Sequence, residues 1–174
     1  MASLMDNLMD LLEKENDEYR KLLELSMNKT PIIIEGKVAE LDNITEDEQE
    51  IVSVIAKLDK EREKVMTDIA SVLNKDVHTL KLDQLTALLE GRPKEQNRLS
   101  AVRTSLKLTV ERLSKVNNRN KDLINDSLEM VAYNMNIIKG MQAAPETANY
   151  NKGAYNVGDS LGGNLNSGSF YAKQ

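Results

Sequence analysis

Residues 93–141, PKEQNRLSAVRTSLKLTVERLSKVNNRNKDLINDSLEMVAYNMNIIKGM, decide the fold. Leu99, Val102, Leu106, Thr109, Leu113, Val116, Asn120, Leu123, Ser127, Met130, Asn134, Ile137 and Met141 recur at alternating spacings of three and four. That is the heptad seam of one long amphipathic helix. A second row, Ile124, Leu128, Val131, Met135 and Ile138, runs beside the seam only in the C-terminal half, so the apolar face widens toward the helix end. At 1.5 Å per residue such a helix is roughly 70 Å long, more than a compact domain of 174 residues needs. Its wide end is expected to overhang its own partners and to seat another protein's helix; the competing expectation is that the rest of the chain covers it. Asn120, Ser127 and Asn134 lower the stability of a closed seam while fixing its register, which favours an exchangeable partner.

Composition agrees with helix packing. Apolar residues make up 40% of the chain, but aromatic residues only 3% with no Trp, so the core must be built from Leu, Ile, Val and Met rather than from the aromatic and β-branched runs of a sandwich or barrel. A net charge of −5 and the lack of a basic block set nucleic acid aside, because such binding needs Lys and Arg to displace counterions. The chain has no Cys, so disulfides and thiolate chemistry are excluded, and this is compatible with a reducing cytoplasm. Met1 to Glu13 lacks a basic n-region, so no signal peptide is expected there, and no run of eighteen apolar residues suggests membrane insertion.

Upstream of the long helix, residues 3–28 carry Leu4, Leu8, Leu11, Leu12, Tyr19, Leu22, Leu23 and Met27 mostly along one face, with Ser3 as N-cap and Pro31 expected to end the helix. Ile32, Ile33 and Ile34 read as an apolar corner or a helical first turn at the end of a bundle, and Gly36 to Leu41 as a short helical turn. Thr45-Glu46-Asp47-Glu48 matches a capping box, so a second helix is expected to start there and to run to about Asn74. The acidic cluster Asp42 to Glu50 then offsets the helix dipole rather than binding a cation. Arg62 intrudes on the apolar seam of this helix, either snorkelling or paired. Thr79 to Glu90 reads as a short helix with Asp83 as N-cap and Gly91 as C-cap, and Pro93 opens the long helix.

The expected fold is therefore all-α: an elongated up-down antiparallel helical bundle or coiled coil with one very long C-terminal helix and a disordered tail. The bundle domain spans 1–141 and the tail 142–174. The tail contains five of the eight Gly, much Asn and Ser and no apolar period, too little to repay the entropy of ordering. It nevertheless carries Tyr150, Tyr155, Phe170 and Tyr171, a composition suited to docking a short aromatic peptide on a partner.

No catalytic, cofactor-binding or metal-binding residue is nominated. The single His, His78, has no Cys or Ser elbow beside it, and Gly36-Lys37 lacks the upstream Gly and following Ser or Thr of a phosphate loop.

The order of elements over 1–141 resembles the FlgN family of flagellar export chaperones. So do the stretch Asn117-Asn118-Arg119-Asn120-Lys121-Asp122-Leu123-Ile124 and the corner Ile34-Glu35-Gly36-Lys37-Val38-Ala39-Glu40-Leu41 followed by Ile44-Thr45-Glu46-Asp47-Glu48. The resemblance implies a cytoplasmic, enzymatically inactive protein that binds the C-terminal helices of hook–filament junction proteins and delivers them to the export gate and its ATPase complex. It also implies that a Tyr just past the last helix helps dock on the gate; Tyr150 and Tyr155 both qualify, and Tyr155-Asn156-Val157-Gly158 has the better local setting. On this reading Leu113, Val116, Asn120, Leu123, Ser127, Met130, Asn134 and Ile137 line the cargo surface, laid out to accept anchors at i, i+3, i+4 and i+7. The rival reading is a structural coiled-coil homo-oligomer or adaptor in which the same seam pairs with a second copy, and a weak homodimer is compatible with either.

Overall fold

The computed structural model of the protein describes residues 2–143. The chain divides into two compact units, Met1–Glu129 and Met130–Gln174. Helices α1 (Ala2–Glu35), α2 (Val38–Leu73), α3 (Leu82–Leu88) and α4 (Pro93–Ala143) account for nearly all of the described chain, and no strand occurs among the described residues. The fold is all-α with one long C-terminal helix, as its seam predicts.

Cross-helix bonds fix the directions within the first unit. Glu15 meets Arg62, and Glu48 meets both Ser26 and Lys29, so partners on α2 fall in number as those on α1 rise: the two helices are antiparallel. Glu13 meets Arg98, Asn16 meets Ser105, and Thr30 meets Asn120, so α4 runs parallel to α1. The chain thus goes up, down and up again.

The main core gathers Met5, Leu8, Met9 and Leu12 of α1, Val65, Met66 and Ile69 of α2, Leu85 of α3, and Leu99 and Val102 of α4. Leu8, Met9, Ile69, Leu85 and Leu99 are fully buried, each worth roughly 1.5–3 kcal/mol of transfer free energy. A smaller cluster of Leu22, Ile55 and Leu113 joins α1, α2 and α4 further along. The sparse aromatic content is no obstacle, since unbranched and γ-branched side chains interdigitate well between helices.

Four local expectations need correction. Pro31 lies inside α1, which continues through Ile32–Ile34 to Glu35. The ring removes the N–H that would bond the carbonyl of Met27, but Pro31 and Met27 both lie on the exposed side of α1, and the last turn is repaid on its other side, where Ile33 is buried and Thr30 bonds Asn120. Second, α2 starts at Val38, not at Thr45, whose hydroxyl donates to the Leu41 carbonyl at 2.7 Å from within the helix. The corner needs only Gly36 and Lys37: Gly36 adopts φ +68°, and the N–H groups of both residues close on the carbonyls of Ile33 and Ile32. Third, α1 begins at Ala2, leaving Ser3 inside it. Fourth, the short helix spans only Leu82–Leu88, with Lys81 and Leu89 at its cap positions rather than Asp83 and Gly91; Asp83 sits in its first turn, paired with Arg103 of α4. The other end of α2 falls where expected, with Asn74 at φ 53° receiving the chain in the left-handed region that Asn tolerates.

Candidate functional site: the seam of α4

Along α4 one heptad pattern passes through two environments. Leu99, Val102, Thr109, Leu113 and Asn120 are buried, and Leu106, Val116, Leu123 and Ile124 are half-buried. From Asn125 to Ala143 every residue is exposed.

The packed stretch is pinned to α1 by polar as well as apolar contacts. The Arg98 guanidinium reaches the Glu13 carboxylate at 2.7 Å and also bonds Asp10. These bonds hold the Glu13 carboxyl below its usual range and raise the Arg98 guanidinium above its own. Asn16 donates to the Ser105 hydroxyl at 3.0 Å and accepts from Thr109 at 3.3 Å.

At the far end of the α1–α4 contact, the buried Asn120 amide donates to the Ser26 carbonyl at 2.8 Å while its oxygen accepts from the Thr30 hydroxyl at 2.7 Å. Ser26 passes the network to Glu48 of α2 at 3.0 Å, and Lys29 closes on the same carboxylate at 2.7 Å. Asn120 is therefore a satisfied register key within the chain's own bundle. An open groove of about 370 Å³ lies beside it, bordered by Lys29, Glu48 and Val52 on one side and Asn117, Lys121 and Ile124 on the other.

A third polar feature explains Arg62. It is paired, donating from Nε to Glu15 at 3.0 Å and also meeting Asp59. Glu15 is buried, and burial pushes its carboxyl up despite the neighbouring guanidinium.

The eight residues assigned to a cargo surface are split by these facts. Leu113 and Asn120 are enclosed by α1 and α2, and Val116 and Leu123 are half-buried. Ser127 is exposed, with its hydroxyl turned back to the Leu123 carbonyl at 2.8 Å. Met130, Asn134 and Ile137 are exposed. Tyr150, Tyr155, Phe170 and Tyr171 lie outside the described residues. Tyr133, which the seam pattern passes over, is 66% exposed beside them; its signal in the sequence is its position four residues before Ile137, on the seam side of the helix.

Among the described residues no cluster of His, Cys, Asp and Glu is arranged to hold a metal ion, and no helix is long and apolar enough to cross a membrane. His78 is exposed in the turn between α2 and α3, its backbone N–H bonded to Asp76.

The chain is similar to "Uncharacterized protein YvyG" of Bacillus subtilis (strain 168), with 27% identity over 133 residues, 76% of each chain. No solved structure matches at comparable significance. The family described as FlgN protein matches residues 1–156, which takes in all four helices. The chain belongs to the FlgN family of flagellar export chaperones.

Proposed function

We propose that this chaperone receives the C-terminal amphipathic helices of hook–filament junction proteins on the exposed apolar face of α4 and carries them to the export gate. The observation behind this reading is the loss of cover along a single seam: Leu113 and Asn120 are buried, whereas Met130, Ile137 and Met141 are 39–74% exposed. Contiguous exposed apolar surface of this kind is costly in water and marks a place for a partner. A cargo helix with anchors at i, i+3, i+4 and i+7 fits such a face, and while seated there its own apolar side is unavailable for premature assembly.

On this reading, exposure divides the candidate residues. Met130, Asn134 and Ile137 touch cargo, Ser127 lies at the edge, Val116 and Leu123 form its half-buried margin, and Leu113 and Asn120 act indirectly by holding α4 on α1. Burying about 600 Å² of apolar area contributes on the order of 15 kcal/mol gross, most of it offset by association and ordering costs. Release therefore needs only modest competition. Docking on the gate or its ATPase complex falls to the aromatic residues Tyr150, Tyr155, Phe170 and Tyr171, and the site of action is the cytoplasm, where export begins.

The test is a Met130→Asp, Ile137→Asp double substitution. Cargo binding is expected to fall beyond detection with helicity and urea midpoint unchanged; intact binding, or global unfolding, defeats the reading. In a parallel arm, removing residues 142–174 is expected to weaken gate docking at unchanged cargo affinity, and undiminished docking removes the tail from the account.

A further inference from the structure

The width of the apolar face on 130–141 specifies more than the presence of a guest. At about 100° per residue, Tyr133, Ile137, Met130 and Met141 form one row and Ile138, Val131 and Met135 a second, and together they sweep roughly 200° of the helix circumference. Ala132, Lys139, Asn136 and Gly140 occupy the remainder. All seven large apolar side chains are exposed, from 39% at Ile137 to 74% at Met141. Asn134 lies at the middle of the arc, between the rows.

The packed part of the same helix supplies the scale. Thr109, Leu113, Val116 and Asn120 are the positions α4 buries or half-buries between 107 and 120, and they fall within a stripe of roughly 60°. Even with α1 alongside, and Ile55 of α2 reaching Leu113, one narrow stripe satisfies that contact. A face about three times as wide cannot be closed by one helix, which covers an apolar stripe of about 100°.

We infer that the guest of residues 130–141 is a pair of packed helices, a helical hairpin of the cargo, whose two members take one row each and meet over Asn134. The inference rests on the cargo reading above and adds the form the cargo takes there. Two other occupants fit less well. The same twelve residues of a second copy form a single helix and leave one row in water. Residues 144–174 are rich in Gly, Asn and Ser and have no apolar period from which to make a helical face. With Lys139 the only charged side chain among residues 130–143, recognition is by apolar shape and by the Asn134 amide. Asn120, two heptads earlier on the seam, shows what such an amide does when covered: it donates to one group and accepts from another on the helix that packs over it.

The test uses the full-length chain and the complete C-terminal helical region of a hook–filament junction protein. Ile137 and Met135 lie roughly 160° apart around the helix, so one guest helix cannot rest on both. Ile137→Asp and Met135→Asp, made separately, are each expected to weaken binding about tenfold or more, with unchanged circular dichroism. Photo-cross-linkers placed at Tyr133 and at Met135 are expected to capture two guest segments separated by a turn. If only one substitution weakens binding, if both cross-links map to a single continuous guest helix, or if they capture a second copy of this chain, the hairpin is wrong while the cargo reading stands. If cargo binds and neither substitution matters, the surface is not the site and both readings fall.

Discussion

Asn120 and Asn134 hold the same seam position two heptads apart on one helix, yet the first is buried with its amide bonded to Ser26 and Thr30 and the second is exposed. The flanking apolar residues differ in the same way, Leu113 being closed off by Leu22 and Ile55 and Ile137 facing water. Heptad spacing thus tells which side of a helix is to be covered, not what covers it. In the first unit the cover is encoded in the same chain; for residues 130–141 the pattern is there and none of the described residues covers it.

The largest expected effect separates the two stretches directly. Leu99 is fully buried in the main core, so Leu99→Ala removes packed volume that the surrounding helices cannot refill and is expected to cost about 2–5 kcal/mol in urea unfolding. Ile137→Ala, the same kind of truncation on the same seam, is expected to stay within about 0.5 kcal/mol for the free chain. A comparable loss at both positions would mean that Ile137 is covered in solution, and the contrast between the stretches would disappear.

The asparagines sharpen the contrast by a smaller amount. Asn120→Ala leaves the Ser26 carbonyl without its side-chain donor and the Thr30 hydroxyl without that acceptor, and is expected to cost about 1–3 kcal/mol. Thr30 keeps a fallback, because its hydroxyl already points at the Ser26 carbonyl at 3.4 Å. Asn134→Ala is expected to be neutral in the free chain. Measured by thermal or urea unfolding, equal effects would show that the Asn120 network carries no part of the register.

What the sequence discloses follows the same line. The long helix, its seam, the widening second row, the end of α2 and the Gly91–Pro93 entry to α4 all rest on spacing or on a single residue's backbone preference, and spacing and backbone preference are local. The continuation of α1 through Pro31 is not local: the Pro penalty is plain in the sequence, but the compensation comes from Asn120, ninety positions away. Thr45-Glu46-Asp47-Glu48 misleads for the converse reason, because a capping signature marks a helix start only if nothing upstream has already started one, and the tight Gly36–Lys37 corner has done so. Of the cargo surface, the apolar positions are readable from periodicity. The division between buried Leu113 and Asn120 and exposed Met130 and Ile137 is not, because burial depends on contacts with residues distant in the chain, as Leu113 has with Leu22 and Ile55.

The smallest effect concerns two carboxylates two residues apart on α1, Glu13 and Glu15, whose opposite environments give opposite pH dependences. Arg98 holds the Glu13 carboxyl below its usual range, so the folded chain releases that proton more readily than the unfolded chain; the stabilisation is present above the ordinary Glu value of 4.5 and is lost as pH falls through the depressed one. Burial raises the Glu15 carboxyl, so the folded chain holds that proton longer, and stability declines as pH rises from 4.5 through the elevated value. Glu13→Gln is therefore expected to flatten the acid-side loss and Glu15→Gln the decline on the neutral side, each by about 1 kcal/mol or less, since Glu13 is largely solvated and Arg62 offsets part of the burial at Glu15. Urea unfolding of the two variants between pH 3 and 7 reads both slopes. Because Glu13 ties α1 to α4 and Glu15 ties α1 to α2, the slopes report separately on the two helices that cover the packed stretch. A pair of variants with the same slope would mean that the two contacts do not form independently, and that the cover over α4 is laid down as one unit.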